Sequence, residues 1–227
     1  MDQLSQLAGK EARLRDLACK RREMTLPGYK NLADYHEGKY DCGYVSPYTK
    51  VAANADSEVM IMLQDWASDD FLGRPFCPDT AEHGRARHRA TNMKLDRLIL
   101  QYFYRPICET YATNLFPFIK SDRMNAPIPG KDLVNAAIQF GIPQIRVVAP
   151  RLVIALGRDC FNGIRRAEGL RSSSTIAAAI EDPLTIDGSR VWCQAHTSPQ
   201  GQNMRNRGRI DRVSDDWARM AAWFRSS

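Results

Sequence analysis

The chain has no run approaching the roughly 18 consecutive apolar residues that a bilayer-crossing helix requires. Its opening stretch, MDQLSQLAGKEARLRD, is charged and amphipathic and lacks the apolar segment of a secretion signal. Both absences point to a cytoplasmic protein with no membrane partner. The six cysteines (Cys19, Cys42, Cys77, Cys108, Cys160 and Cys193) include no C-x-x-C pair, from which zinc and iron–sulfur clips usually start. Reduced, mostly buried thiols are expected, with no metal and no cofactor. Neither G-x-G-x-x-G nor G-x-x-x-x-G-K-[ST] occurs, so the glycine-rich phosphate loops of nucleotide-dependent enzymes are missing. Pro129-Gly130-Lys131-Asp132 lacks the first glycine and the hydroxyl of such a loop. Repeats, low-complexity tracts and linkers are absent too. The expectation is one monomeric domain over 1–227, with an N-terminal helix and loop extension (1–55) and a core (56–227). Lysine is scarce, 8 residues against 24 arginines.

What is present is a 44% hydrophobic chain with a formal charge of +6. Its arginines carry planar forks that grip phosphate at two points, a modest pointer to nucleic acid. Residues 3–24 have helical spacing (Leu4, Leu7, Leu14, Leu17) and are followed by a Gly-, Tyr- and Pro-rich loop to Ala55. Four short apolar runs read as strands: SEVMIMLQD (57–65), TYATNLFPF (110–118), RLVIALG (151–157) and RVWCQAH (190–196). Helical patterns cover 89–104 and 131–150, the second interrupted at Gly141–Pro143, and others begin near Arg158 and over 211–225. Strands that are apolar throughout and alternate with helices predict a parallel sheet covered on both faces. The expected fold is a three-layer α/β/α sandwich with a central four-stranded parallel sheet.

Ligands of such sheets bind outside the carboxyl ends of the strands. The first strand ends in Gln64–Asp65, the second carries Asn114, and the last ends in His196. A carboxylate, an amide and an imidazole are thus sent to one edge. Taken singly, each is an ordinary cap or turn residue.

In this order the motifs resemble the uracil-DNA glycosylase superfamily over roughly residues 57–205. LQDWAS (63–68) is similar to that family's Gly-Gln-Asp-Pro-Tyr-His segment, and Asn114 stands where its base-reading asparagine does. His196-Thr197-Ser198-Pro199 matches three of the four residues of its His-Pro-Ser-Pro segment, which opens a DNA-penetrating loop. The resemblance implies a DNA partner and a base flipped out of the stack. Breaking the base–sugar bond leaves positive charge on the sugar and negative charge on the base. Asp65 would stabilise the cation and orient water, and His196 would donate to the pyrimidine oxygen. Gln64, Ala67, Phe76 and Asn114 would hold the base; Phe71 competes with Phe76 as the stacking ring. Ser198, Pro199, Gln200, Arg205 and Arg207, with Arg209, would form a loop that contacts DNA. Gln200 stands where the family inserts an apolar wedge, and Met204 is the substitute.

The departures carry information. The family's tyrosine, which excludes thymine, aligns with Ala67, so C5 substituents should be tolerated. The implied reaction is hydrolysis of a non-standard pyrimidine, namely a C5-modified cytosine of the bulky phage type, and an antiviral role would follow. No lysine stands close in sequence to the strand-end residues. Lys120, six residues beyond Asn114, is the nearest, so a monofunctional enzyme is expected. Two alternatives stay open: uracil excision in repair, and a non-catalytic nucleic-acid-binding protein on the same fold.

Overall fold

The computed structural model describes residues 3–208 and 210–226; Arg209 and the side chain of Leu4 lie outside the described residues. After helix α1 (Gln3–Glu23) the chain makes a two-residue strand, β1 (Tyr29–Lys30), and a series of 3-10 turns ending at Pro47–Val51. It then enters β2 (Val59–Asp65), helices α2 (Asp69–Leu72), α3 (Pro78–His83) and α4 (Ala90–Phe103), then β3 (Tyr111–Phe116) and β4 (Ile119–Lys120). Helices α5 (Gly130–Ala136) and α6 (Ile142–Val148), β5 (Leu152–Leu156), α7 (Arg158–Ala167) and α8 (Ile176–Glu181) follow. The chain closes with β6 (Leu184–Ile186), β7 (Ser189–Gln194), α9 (Pro199–Arg205) and α10 (Arg212–Ser226).

The main sheet has five strands in the order β3-β2-β5-β7-β6. Four run parallel, and β6 pairs antiparallel with β7. A purely parallel four-stranded sheet is therefore corrected to a mixed one. The extra strand comes from Asp187–Gly188, both at positive φ (45° and 89°), the backbone of a tight hairpin turn. The turn folds a three-residue strand back onto its neighbour, and three residues are too few to show alternation in sequence.

Alternate strand residues feed two cores. Met60, Met62, Val153, Ala155, Val191 and Cys193 face Leu14 of α1, Leu133 of α5, Ile145 of α6 and Phe161 of α7. Val59, Ile61, Leu63, Ile154 and Trp192 face Leu95 and Ile99 of α4 and Trp217 and Phe224 of α10. Helices on both faces make the strands apolar throughout, which is why they were readable as uninterrupted runs. The expected break at Gly141–Pro143 is a π-helical turn, Ala137–Gly141, that joins α5 to α6 without a stop. The widened turn accommodates Pro143, which has no N–H to give. Gly141 is there for proximity, because a Cβ would lie 2.6 Å from Leu115 Cδ1 on β3.

The N-terminal segment is built into this body. Leu14 is buried in the first core, and the fully buried Arg21 ties the following loop together through Asn31 (2.9 Å), Asp41 (2.6 Å) and the carbonyls of Cys42 and Tyr44.

Candidate active site

Asp65 is the last residue of β2 and its side chain is only 8% exposed. Gln64 Nε2 donates to its Oδ1 at 3.1 Å. Lys120 Nζ lies 2.9 Å from its Oδ2 with 4% exposure. The directed bonds of the ammonium go elsewhere, to the carbonyls of Met124 (2.6 Å) and Ala126 (3.1 Å). Lys120 compensates Asp65 electrostatically while Oδ2 has no hydrogen-bond donor, so that oxygen retains lone pairs for a water. The expectation that no lysine stands beside the strand ends is thereby corrected. Beyond Phe116 the chain keeps the direction of β3, bridging in parallel with Ser68, and the antiparallel pairing of β4 with β1 sets Lys120 opposite Tyr29.

His196 follows β7 by two residues, and its backbone carbonyl abuts α9, where a Cβ on Gly201 would come within 2.4 Å of that oxygen. Its Nδ1 accepts the Ser198 N–H at 3.2 Å. A ring nitrogen that accepts carries no proton, so the neutral ring bears its hydrogen on Nε2. Burial holds the imidazole below its usual 6.5; the Asp65 carboxylate opposes that effect and the Lys120 ammonium adds to it. The ring is thus a neutral N–H donor.

Asp65 and His196 line one cavity of about 120 Å³ together with Leu63, Trp66, Phe71, Tyr48, Arg85, Arg89 and Asn92. Its covering wall was not read from the sequence. Arg85, 6% exposed, holds Asp96 with two bonds (2.7 and 2.8 Å) and donates to the Tyr48 hydroxyl at 3.1 Å. That hydroxyl donates to Asn92 Oδ1, also at 3.1 Å, and burial pushes the phenol up to about 12, so it stays protonated. The Arg89 guanidinium sits 4.4 Å from the centre of the Phe71 ring. Phe71, not Phe76, is the cavity's phenylalanine. Phe76 packs on Tyr40 at 5.1 Å and His36 at 5.7 Å in a satellite cluster under the sheet edge. Ala67, fully buried, belongs to that same cluster and does not line the cavity. The missing aromatic there leaves no opening, because Tyr40, Leu72 and Ile119 fill the space.

Asn114 lies beside Leu63 in the β2–β3 register and is fully buried, just behind the cavity lining. The Ser46 hydroxyl donates to its Oδ1 at 2.6 Å, while Nδ2 has no partner. Ser46 also caps the 3-10 turn bearing Tyr48 by accepting the Tyr48 N–H at 3.2 Å. Among the described residues the amide thus keeps its donor free and has its acceptor engaged. A buried orphan donor is costly, about 1–3 kcal/mol, and such groups ordinarily await a ligand or water.

Beyond His196 opens a groove of about 580 Å³, bordered by Gln64, Arg158, Ser174, Thr175, Met204 and Arg207. Gln64 thus faces the groove and not the cavity. The expected penetrating loop is mostly the helix α9. Ser198 is its N-cap, accepting the Gly201 N–H at 3.2 Å, and Pro199 takes the first turn. That Ser-Pro signature was available in the sequence. Gln200 is exposed on its first turn and Met204 is 54% exposed. Arg205 makes a two-point bond to the buried Asp216 (2.6 and 2.8 Å), so its guanidinium is engaged within the fold. Arg207 is exposed at the groove and makes no ion pair among the described residues. No family model matches the chain, and no curated protein matches it.

Proposed function

We propose that the chain is a monofunctional DNA glycosylase of the uracil-DNA glycosylase type, hydrolysing the N-glycosidic bond of a flipped-out modified pyrimidine. One observation carries the reading: Asp65 and His196, brought from the ends of β2 and β7, share the wall of a single cavity. The ring would enter that cavity against Phe71. As the bond stretches, His196 Nε2–H donates to the pyrimidine oxygen that gathers negative charge. The Asp65 carboxylate balances the sugar cation, and Oδ2 accepts from the attacking water. The strand on either side of the extruded nucleotide would follow the groove, with Arg158 and Arg207 near its phosphates.

The choice of a C5-modified cytosine rests on the polar groups of the cavity wall, Thr80, Thr91 and the Arg89 guanidinium, and no longer on Ala67. Hydroxyl and guanidinium groups suit a substituent that itself carries hydroxyls. Duplexes containing uracil, thymine mismatches and 5-hydroxymethylcytosine derivatives, scored for abasic sites, test this. Release of the substituted cytosine is expected, and release of uracil alone defeats the base assignment. No release from any duplex defeats the glycosylase reading. Asp65→Asn should lower release about 10³-fold while DNA binding is retained; a parallel loss of binding would make Asp65 structural.

A further inference from the structure

Lys120 has no part in the residues that reach the cavity, yet it is held as tightly as any side chain around it. Its ammonium is 4% exposed and is surrounded by three oxygens: Met124 O at 2.6 Å, Ala126 O at 3.1 Å and Asp65 Oδ2 at 2.9 Å. An ammonium has three hydrogens and no lone pair. Here two carbonyls accept directed bonds and the carboxylate oxygen lies in ion-pair contact. The isolated backbone bridge between Ser68 and Lys120 and the β1–β4 ribbon fix its position from two further directions.

The groups that face Asp65 are few. Lys120 comes from β4, His196 from the end of β7, the Gln64 amide from β2, and Cys160 from α7. Burial pushes the Cys160 thiol well above its usual value, so it is neutral. Arg85, paired with Asp96, and Arg89, over Phe71, line the same cavity, and Arg158, Asp159 and Arg207 border the groove beside His196; among the described residues Lys120 is the cation in ion-pair contact with Asp65. Without a second cation, a buried carboxylate beside an imidazole favours either a protonated ring or a protonated acid. With an ammonium in contact, the carboxylate is balanced and the ring can stay neutral.

We propose that Lys120 is a positioning residue that holds Asp65 as a fixed carboxylate and thereby leaves His196 a neutral Nε2–H donor. The inference deepens the glycosylase reading and rests on it for its catalytic meaning; the charge assignment itself can be tested without activity. Imidazole nitrogen–proton NMR, with His196 assigned through His196→Gln, follows ring protonation in the free protein. In Lys120→Gln, which keeps donors toward the carbonyls and removes the charge, the His196 protonation midpoint should rise by about one pH unit or more. Lys120→Arg should restore the wild-type midpoint. An unchanged midpoint in a folded Lys120→Gln overturns the proposal; should that variant not fold, Lys120→Met is read in the same way.

The second arm measures base release against pH on whichever duplex the wild-type protein cleaves. Lys120→Gln should lower kcat with KM little changed and move the acid limb to higher pH, with Lys120→Arg recovering both. A fall in KM-dependent binding alone, with the limb in place, refutes the assignment. Borohydride added during turnover should trap no protein–DNA adduct, because Nζ has no free lone pair, and a trapped adduct through Lys120 refutes the cationic assignment. Wild-type protein that cleaves nothing removes the glycosylase reading and leaves the NMR arm to decide the role of Lys120.

Discussion

Arg205 separates two accounts of the segment after His196. As a phosphate contact it would matter for DNA and little for stability. In the folded chain it is instead a structural tie, because its Nε and Nη2 hold Asp216 at 2.6 and 2.8 Å, with side-chain exposures of 14% and 6%. Removing one member of a buried pair leaves the other charged and unpaired, which costs about 3–5 kcal/mol. Arg219 Nη2, 3.9 Å from Asp216, offers weak compensation, so the lower end, about 3 kcal/mol, applies to Arg205→Ala. In a chain of this size each kcal/mol lowers Tm by about 2–4 °C, and the expected loss is about 6–12 °C by calorimetry. Arg158→Ala is the control: its partner Asp159 is 59% exposed, and such pairs are worth at most about 1 kcal/mol. The salt dependence of DNA binding should be unchanged in Arg205→Ala, and its slope should fall by about 0.9 in Arg207→Ala. An Arg205→Ala protein melting within about 2 °C of wild type, with a reduced salt slope, would refute the reasoning.

Two further outcomes follow from the site. Phe71→Ala should lower base release by about tenfold or more through lost stacking, which is worth about 1–3 kcal/mol, whereas Phe76→Ala should act mainly on Tm; the reverse pattern in paired kinetic and melting assays would return the stacking role to Phe76. Because burial holds His196 below 6.5 in the folded chain, the unfolded chain binds the extra proton first as pH falls. Stability is then full above about 6.5 and declines below it, so chemical denaturation at pH 7.5 and 5.5 should show a loss that His196→Gln lacks.

The strands were legible because each is covered on both faces and so reads as an unbroken apolar run. Strand β6 was not legible, since three residues show no period, although Asp187–Gly188 announced its turn. At the site, Asp65 and His196 sit where apolar runs stop, a position visible in one dimension. What covers them was not. Tyr48, Arg85 and Asn92 meet only because the 3-10 turn after Ser46 packs under the start of α4, a juxtaposition with no sequence period. Phe71 on α2 and Phe76 beyond it both pack on the cluster around Tyr40 and Leu72, and composition does not say which ring also meets the cavity. Lys120 escaped for a similar reason: it is remote from Asp65 in sequence and comes to 2.9 Å only because β3 lies beside β2 and the chain beyond it runs on alongside Ser68.

On the proposed reading, the segment Ser46–Val51 would leave chemistry and selectivity on different parts of the chain. Acid and imidazole stand at the ends of sheet strands, whereas Tyr48 and the amide-orienting Ser46 come from a buried segment outside the sheet, clasped at Gly84, where a Cβ would strike the Pro47 carbonyl. On that reading, substitutions at Ser46 or Tyr48 would act on which base is admitted before they act on bond breaking. The same placement means that removing the first fifty residues would take away Ser46 and Tyr48 together with Leu14 of the core and the β1 partner of Lys120.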